Sequence, residues 1–168
     1  AEMRDHVHVD PNVITRANQW LANQQRKAGS WPIYASRVSG GGWYDADDDI
    51  GQLRSTAFVA SAPTHDPDPK KYASPLEKAM DRIVERAPFV SSPNALAWAA
   101  TAALDAKQPE VAAPILGRIT SKLARDQDTA WVASTRRTWM GASSRWADIE
   151  TTALTADALR RSGRGADV

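Results

Sequence analysis

The sequence predicts an all-α domain built from about three helical hairpins. Six segments have helical patterns, and segments with a single apolar stripe alternate with segments that are apolar or small on nearly every side. No segment has the pattern of a convincing sheet, although residues 129–146 could contain a short β-hairpin. A chain of 168 residues suits one domain. We expect this domain to span residues 11–163, between a flexible arm at 1–10 and a flexible end at 164–168.

The first, third and fifth segments are amphipathic. The first begins after Asp10, a residue type that caps helix N-termini, and has Pro11 at its first position. The third, "SPLEKAMDRIVERA", carries Ser74 and Glu77 at the spacing of a capping box. The start of the fifth, "PEVAAPILGRITSKLAR", is left open because Pro114 fits only near a first helical turn. These segments are expected to form an outer layer with their polar faces in solvent.

The second, fourth and sixth segments are apolar or small on most sides. They are "STAFVASA", which begins at Ser55 and stops at Pro63, then "PNALAWAATAALDA", and finally "DIETTALTADALRRSG", with Asp148 as N-cap and Gly163 after its end. A helix without a polar face must be surrounded by protein. These segments are therefore expected to form an inner layer, with Trp98 buried in it.

Two long connections, from about residue 28 to 54 and from about 126 to 147, are rich in tryptophan. Connections of this length are usually functional or ordered by their own side chains. The rings could cap the inner helices at one end of the array. Alternatively they could line a binding face, since tryptophan is enriched at interaction hot spots. The candidate binding residues are Trp43, Trp131, Trp139 and Trp146.

Charge and composition exclude several functions. The net charge of +1 comes without a long basic run, which argues against nucleic acid as a partner. No apolar run is long enough to span a bilayer, so direct membrane insertion is not expected. The chain has no cysteine, which excludes disulfides, thiolate nucleophiles and Cys-ligated zinc. No phosphate-binding or dinucleotide-binding motif is present, and we expect no cofactor.

The segment "RANQWLANQQRKAGSW" resembles the QW repeat of the terpenoid cyclase superfamily. The resemblance rests on the spacing of Gln25, Gly29 and Trp31. Gln25 stands near the helix end, where an amide can satisfy free backbone groups. Gly29 permits the turn, and Trp31 is expected to fold back as a plug. The repeat is structural in that superfamily, so it implies a fold rather than a chemistry.

A narrower resemblance covers most of the chain. "WLANQQRKAGSW", "GGGW" and "STAFVASA" are similar to the second half of the thioester domain of the alpha-2-macroglobulin and complement family. The block "TAWVAS…ADIETTALTADAL" resembles that domain's closing segment. The matching positions of this block are Trp131, Asp148, Ile149, Glu150, Thr152 and Ala153. The resemblance implies an α/α toroid of inner and outer helices, of which this chain supplies about half.

The chain departs from that family at its defining element. The family forms an internal thioester from a GCGEQ motif, and a chain without cysteine cannot make that bond. The resemblance therefore implies a non-enzymatic fragment of a bacterial-type, protease-trapping protein that is secreted or periplasmic. The implied partners are proteases and neighbouring domains of a larger parent protein. Two alternatives remain: a prenyltransferase-like or cyclase-like enzyme fragment, and a free-standing helical binding module.

Half of a toroid would leave inner-helix edges uncovered. Large apolar patches are rare on soluble monomers. A homodimer through "STAFVASA", "ALAWAATAAL" or the last helix is therefore expected, unless a parent protein covers these edges.

Two groups of carboxylates are candidate sites. "DADD" at residues 45–48 matches the acid motif of class II terpene cyclases, but the Thr-Ala pair that should follow comes too late. Asp45, Asp47 and Asp49 alternate as in a calcium loop, although Ile50 replaces the required glycine. The favoured interpretation is a solvated acidic loop.

The second group is Asp148 and Glu150 in the last helix. A buried acid pair would be a candidate site. Capping, with an ion pair to an arginine such as Arg145, would make both residues structural.

We expect that replacing Asp45, Asp47 and Asp49 together by asparagine leaves the fold intact. The stability should change by about 0.5 kcal/mol or less, because surface charges rarely contribute more. Thermal melting with and without millimolar calcium measures the effect. A calcium-dependent rise in Tm that the triple variant lacks would identify a cation site instead.

Overall fold

The computed structural model describes residues 9–31, 49–134, 136–138 and 141–165. Within these ranges the chain is mostly helical, which confirms the predicted all-α class. The α-helices are α1 (Pro11–Asn23), α2 (Asp49–Thr64), α3 (Ala73–Arg86), α4 (Pro93–Asp105), α5 (Pro109–Thr120) and α6 (Arg145–Arg161). Short 3-10 turns occupy Pro69–Tyr72 and Ala87–Phe89. Strands β1 (Ala124–Asp126) and β2 (Thr129–Trp131) form an antiparallel hairpin in which Ala124 pairs with Trp131.

Helices α2, α4 and α6 run side by side in the same direction, with α4 in the middle. Near their N-terminal ends, Asn94 of α4 donates hydrogen bonds to Glu150 and Thr151 of α6. At the opposite end, Asp105 of α4 accepts a hydrogen bond from Arg161 of α6. His65, which follows α2 directly, lies 4.0 Å from the same carboxylate. Contacts at both ends therefore fix the common direction of the three helices.

Small side chains in α4 permit this close arrangement. Helix α4 is buried along most of its length, and its neighbours α2, α5 and α6 reach it from several sides. The fully buried alanines of α4 are Ala95, Ala97, Ala99, Ala100, Ala102 and Ala103. The amphipathic helix α3 packs on α2, and α5 packs on α4. Each pair is a hairpin in which the apolar helix lies inside.

The turn after α1 is held by three residues of the QW-like segment. The indole of Trp31 is buried, and its Nε1 donates to the carbonyl of Leu21 at 2.6 Å. The amide Nε2 of Gln25 donates to the carbonyls of Gly29 at 3.0 Å and Pro75 at 2.8 Å. Gly29 has a φ of +81°, and a Cβ atom there would stand 2.1 Å from the backbone oxygen of Lys78. The turn therefore requires glycine.

The structure corrects where three helices begin. Helix α2 is already present at Asp49, six residues before Ser55, because Asp49 suits the positive end of the helix and accepts from Arg86 at 3.2 Å. Helix α3 begins at Ala73, directly after a 3-10 turn, so the predicted capping box of Ser74 and Glu77 is wrong. Helix α6 begins at Arg145, and the side chain of Asp148 is not its N-cap.

Both internal prolines lie inside helices. Pro63 does not stop α2, which continues to Thr64, and Pro114 lies in the middle of α5 rather than in its first turn. The hairpin begins earlier than expected, at Ala124, so only its second strand falls within residues 129–146.

Trp98 is half-buried rather than buried. Its ring packs edge to face against Phe58 of α2, with 5.2 Å between the ring centroids. Phe58 itself is exposed. The face of α4 that carries Trp98 is therefore only partly covered.

A buried carboxylate anchors α1 to the corner that follows α2. Asp66 is buried and accepts from Asn18 Nδ2 at 2.9 Å and from the backbone N–H of Asp68 at 2.9 Å. Burial alone would raise the pKa of Asp66, but hydrogen bonds from Asn18 and Asp68 outweigh it, and the pKa is lowered. The ionised carboxylate is therefore the form that stabilises the fold.

We expect this contribution to disappear in acid. A lowered folded-state pKa means that Asp66 stabilises the fold above the unfolded pKa of about 3.9, and that the stabilisation is lost as the pH falls through the folded-state value. Urea denaturation at neutral and acidic pH should show a smaller loss in Asp66→Asn than in the wild type. Asp68→Asn is the matched control and should keep the wild-type pH dependence. Equal loss in all three proteins would contradict this role.

Candidate functional site

The N-terminal ends of α2, α4 and α6 meet beneath one segment of chain. We call this segment the strap, and it comprises residues 132–134, 136–138 and 141–144. Helix α6 holds the strap at three points. Thr152 Oγ1 accepts from the backbone N–H of Val132 at 2.9 Å, and Asp148 Oδ1 accepts from that of Ser134 at 2.6 Å. Glu150 Oε2 accepts from Thr138 Oγ1 at 2.5 Å.

A set of polar side chains, which we call the polar cluster, connects the strap to the helices. Its members are Arg54, Asn94, Thr138, Glu150 and Thr151. Asn94 Nδ2 donates to Thr151 Oγ1 at 3.3 Å and to Glu150 Oε1 at 3.4 Å. Arg54 Nη1 donates to the carbonyl of residue 137 at 2.9 Å. All members except Glu150 are buried.

The polar cluster has the chemistry of a structural network. Buried polar groups are stable only when they are hydrogen-bonded, and these partners lie on three helices and one loop. Glu150 contributes a carboxylate to helices whose N-terminal ends carry partial positive charge. The cluster therefore locks the strap to the helix ends.

An open groove of about 580 Å³ lies between β2 and the first turns of α6. Trp131, Ile149 and Ala153 supply apolar surface, while Arg145 and Asp148 supply opposite charges. Thr129, Ala130 and Thr152 complete the lining. A concave apolar surface with a few polar groups is the usual form of a binding site.

The predicted binding tryptophans do not all meet in this groove. Trp131 lines it, whereas Trp146 does not and is 72% exposed. Trp43 and Trp139 lie outside the described residues, as do residues 1–8 of the predicted flexible arm and residues 166–168 of the predicted flexible end. In the predicted cation loop, Asp45 and Asp47 also lie outside the described residues, and Asp49 is the first described residue of α2.

The two acidic residues of α6 do not cap their own helix. The two carboxylates bond to different partners, Asp148 to Ser134, and Glu150 to Thr138 and Asn94. Their partners are thus the strap and α4 rather than the end of their own helix or Arg145.

Sequence reasoning missed Arg54, Asn94 and Thr138. One signal was available: Arg54 and Asn94 are polar residues next to or inside nearly apolar segments. Thr138 carries no such signal, because it belongs to a polar connection.

No model of a known protein family matches the chain, and no curated protein is significantly similar to it. Among the described residues, no group of three or more acidic or histidine side chains is arranged to hold a metal ion. No helix in this part of the chain combines the length and the apolar character that crossing a membrane requires.

We expect Glu150 and Thr138 to be energetically coupled. Glu150→Ala should destabilise the protein by about 1–3 kcal/mol, since the change removes hydrogen bonds to a charged group and leaves Asn94 without one acceptor. With Thr138→Val, a double-mutant cycle from urea denaturation should give a coupling of about 0.5–3 kcal/mol. Glu85→Ala, which removes a solvent-exposed carboxylate that pairs with Arg82, is the control and should destabilise the protein much less than Glu150→Ala. Additive effects of the two substitutions would contradict the link.

Proposed function

We propose that the chain is a non-enzymatic helical domain, about half of an α/α toroid, within a macroglobulin-like protease-trapping protein. The proposal rests on one observation. Hydrogen bonds connect the two separated parts of the sequence block, "TAWVAS…ADIETTALTADAL", that resembles the closing segment of that family's domain. Asp148, Glu150 and Thr152 are separated from Trp131 by more than a dozen residues, yet all three bind the strap that follows Trp131. The positions that carry the resemblance therefore act together as one structural unit.

The arrangement of the helices supports the same proposal. Parallel, alanine-rich helices α2, α4 and α6 lie inside, and α3 and α5 pack on their outer side. An inner and an outer layer connected by hairpins is what half of a toroid requires. The plug formed by Trp31 and Gln25 is a second feature that the resemblance implies.

A chain without cysteine acts without a thioester of its own. Its contribution to trapping is then noncovalent: it presents surfaces to neighbouring domains and to the captured protease. The groove beside Trp131 is a concave, partly apolar surface suited to such contacts. A secreted or periplasmic location follows from the same resemblance.

The test uses the full-length protein that contains this chain. When it is mixed with an endoprotease, a trap should protect large protein substrates while leaving cleavage of a small peptide substrate intact. Glu150→Ala in the full-length protein should weaken the protection, because the strap is loosened, and Glu85→Ala should not. Unchanged cleavage of both substrate sizes by the protease would overturn the proposal.

A further inference from the structure

Strand β2 has one paired edge and one open edge. Its partner is β1, and the sheet contains no third strand in the part of the chain that the structure describes. Residues 127 and 128 form a two-residue turn, so Asp126 and Thr129 are the hydrogen-bonded pair that closes the hairpin. Hydrogen-bonded and non-hydrogen-bonded pairs alternate along an antiparallel ladder. The backbone N–H and C=O of Ala130 therefore point away from β1.

The residues that follow β2 show which way this open edge faces. Val132 donates its backbone N–H to Thr152 of α6 at 2.9 Å, and Ser134 donates its own to Asp148 of α6 at 2.6 Å. Alternate residues of an extended chain present their N–H groups on the same side. The N–H of Ala130, two residues before Val132, therefore faces α6 as well.

Helix α6 offers Ala130 no side-chain acceptor. Thr152 follows Asp148 by about one helical turn, and the next residue in this series is Ala156, whose side chain cannot accept a hydrogen bond. Apart from the pairing with β1, no hydrogen bond from another described residue reaches the backbone of Ala130. This backbone edge instead borders the open groove, which all three residues of β2 line.

The opposite wall of the groove has the length of a short extended peptide. Arg145 and Ala153 of α6 both line it, and a helix rises roughly 12 Å between two such positions. Four residues of extended chain span about 13 Å. Between the two ends, Ile149 is 50% exposed and offers an apolar contact. The groove can therefore hold an extended segment between β2 and α6.

The charges of the groove favour a segment that carries a carboxylate. Asp148 already accepts a hydrogen bond from the backbone of Ser134. Arg145 is exposed, and no carboxylate of the described residues pairs with it. An arginine can hold a carboxylate through two parallel hydrogen bonds. Arg145 is thus the charge in the groove that a bound acidic group would neutralise.

We propose that the groove binds an extended peptide in which an aliphatic residue lies on Ile149 and an acidic residue pairs with Arg145. The peptide adds to the open edge of β2 and exchanges hydrogen bonds with the backbone of Ala130. The proposal rests on the proposed function for the origin of the peptide, which is a segment of a neighbouring domain in the parent protein. A bound segment lies beside the hydrogen bonds through which α6 holds the strap.

Random heptapeptides displayed on phage and selected against this chain test the proposal. Enriched peptides should carry a carboxylate at a fixed spacing from an aliphatic residue, and fluorescence anisotropy gives their Kd. Ala130→Pro should raise this Kd at least about tenfold, because it removes the N–H at the open edge, where proline is compatible with the strand. Ala130→Ser keeps the N–H and is the matched control, with the affinity of the wild type.

The same hydrogen bonds can be removed from the peptide while the protein stays unchanged. N-methylation of each peptide residue in turn should find one position at which the Kd rises at least about tenfold, since that residue loses its donor to the C=O of Ala130. Enriched peptides that respond neither to Ala130→Pro nor to N-methylation would overturn the proposal, as would a failure to enrich any peptide.

A charge reversal tests the acidic contact. Selection against Arg145→Glu should enrich lysine and arginine in place of acidic residues, and a glutamate suits the first turn of α6. Lys122→Glu changes the net charge equally but lies outside the groove, so it should keep the acidic preference. Circular dichroism verifies that all variants fold. An acidic preference that persists in Arg145→Glu would contradict the assignment.

These measurements require no protease and are independent of trapping. Their failure would remove the peptide site and leave protection of large substrates by the full-length protein unaffected. Conversely, absence of that protection would remove the proposed function and leave peptide binding by this chain in place.

Discussion

Close contact of three parallel helices through the alanines of α4 is the constraint on which the other features depend. A helix with small side chains lets its neighbours approach, and α4 is buried by α2, α5 and α6 because its surface has few large groups. Close approach also requires small side chains on the neighbouring helices where they contact α4. Accordingly α2 contributes Ala57 and Ala60 to the core, and α6 contributes Ala147 and Ala158. Larger residues are concentrated at the outer contacts with α3 and α5, where Ile83, Ile115 and Leu116 fill the space.

A common direction for α2, α4 and α6 places three helix N-termini at one end of the layer. Their partial positive charges add there, which favours carboxylates and hydrogen-bond acceptors. Asp49, Asp148 and Glu150 all lie at this end. At the opposite end, Arg160 and Arg161 occupy the last turn of α6, where cations are favoured, and Arg161 also pairs with Asp105. The distribution of charge along the layer thus follows from the direction of its helices.

Much of the fold was predictable because its signals are local. An apolar stripe or an all-apolar surface is visible within one segment, and the alternation of the two kinds predicted the hairpins. Helix boundaries were less predictable, because potential capping residues are used in tertiary contacts: Asp148 binds the strap instead of its own helix.

The polar cluster was only half predictable. The resemblance drew attention to Asp148 and Glu150, but their partners depend on how α4 and α6 are aligned, and no local pattern encodes that alignment. Exposure of Val13 and Trp20 on α1 was unpredictable for the same reason, since periodicity shows that a helix has an apolar face but not whether anything covers it.

The alanine surface and the polar cluster have complementary roles. Small, uniform side chains give close packing but little preference for one alignment of two helices over another, since shape complementarity is what selects a unique arrangement. Hydrogen bonds from Asn94 to Glu150 and Thr151 supply that preference, because a shift of α6 along α4 would break the hydrogen bonds of the buried Asn94 and Thr151 side chains. The ion pair of Asp105 with Arg161 contributes less to this preference, because Arg161 is exposed to competing water even though Asp105 is largely buried. Alignment of the inner helices is therefore set at the strap end, by the same residues that hold the strap. Any force applied to the strap, by a neighbouring domain or a bound partner, would act directly on the contacts that align the core.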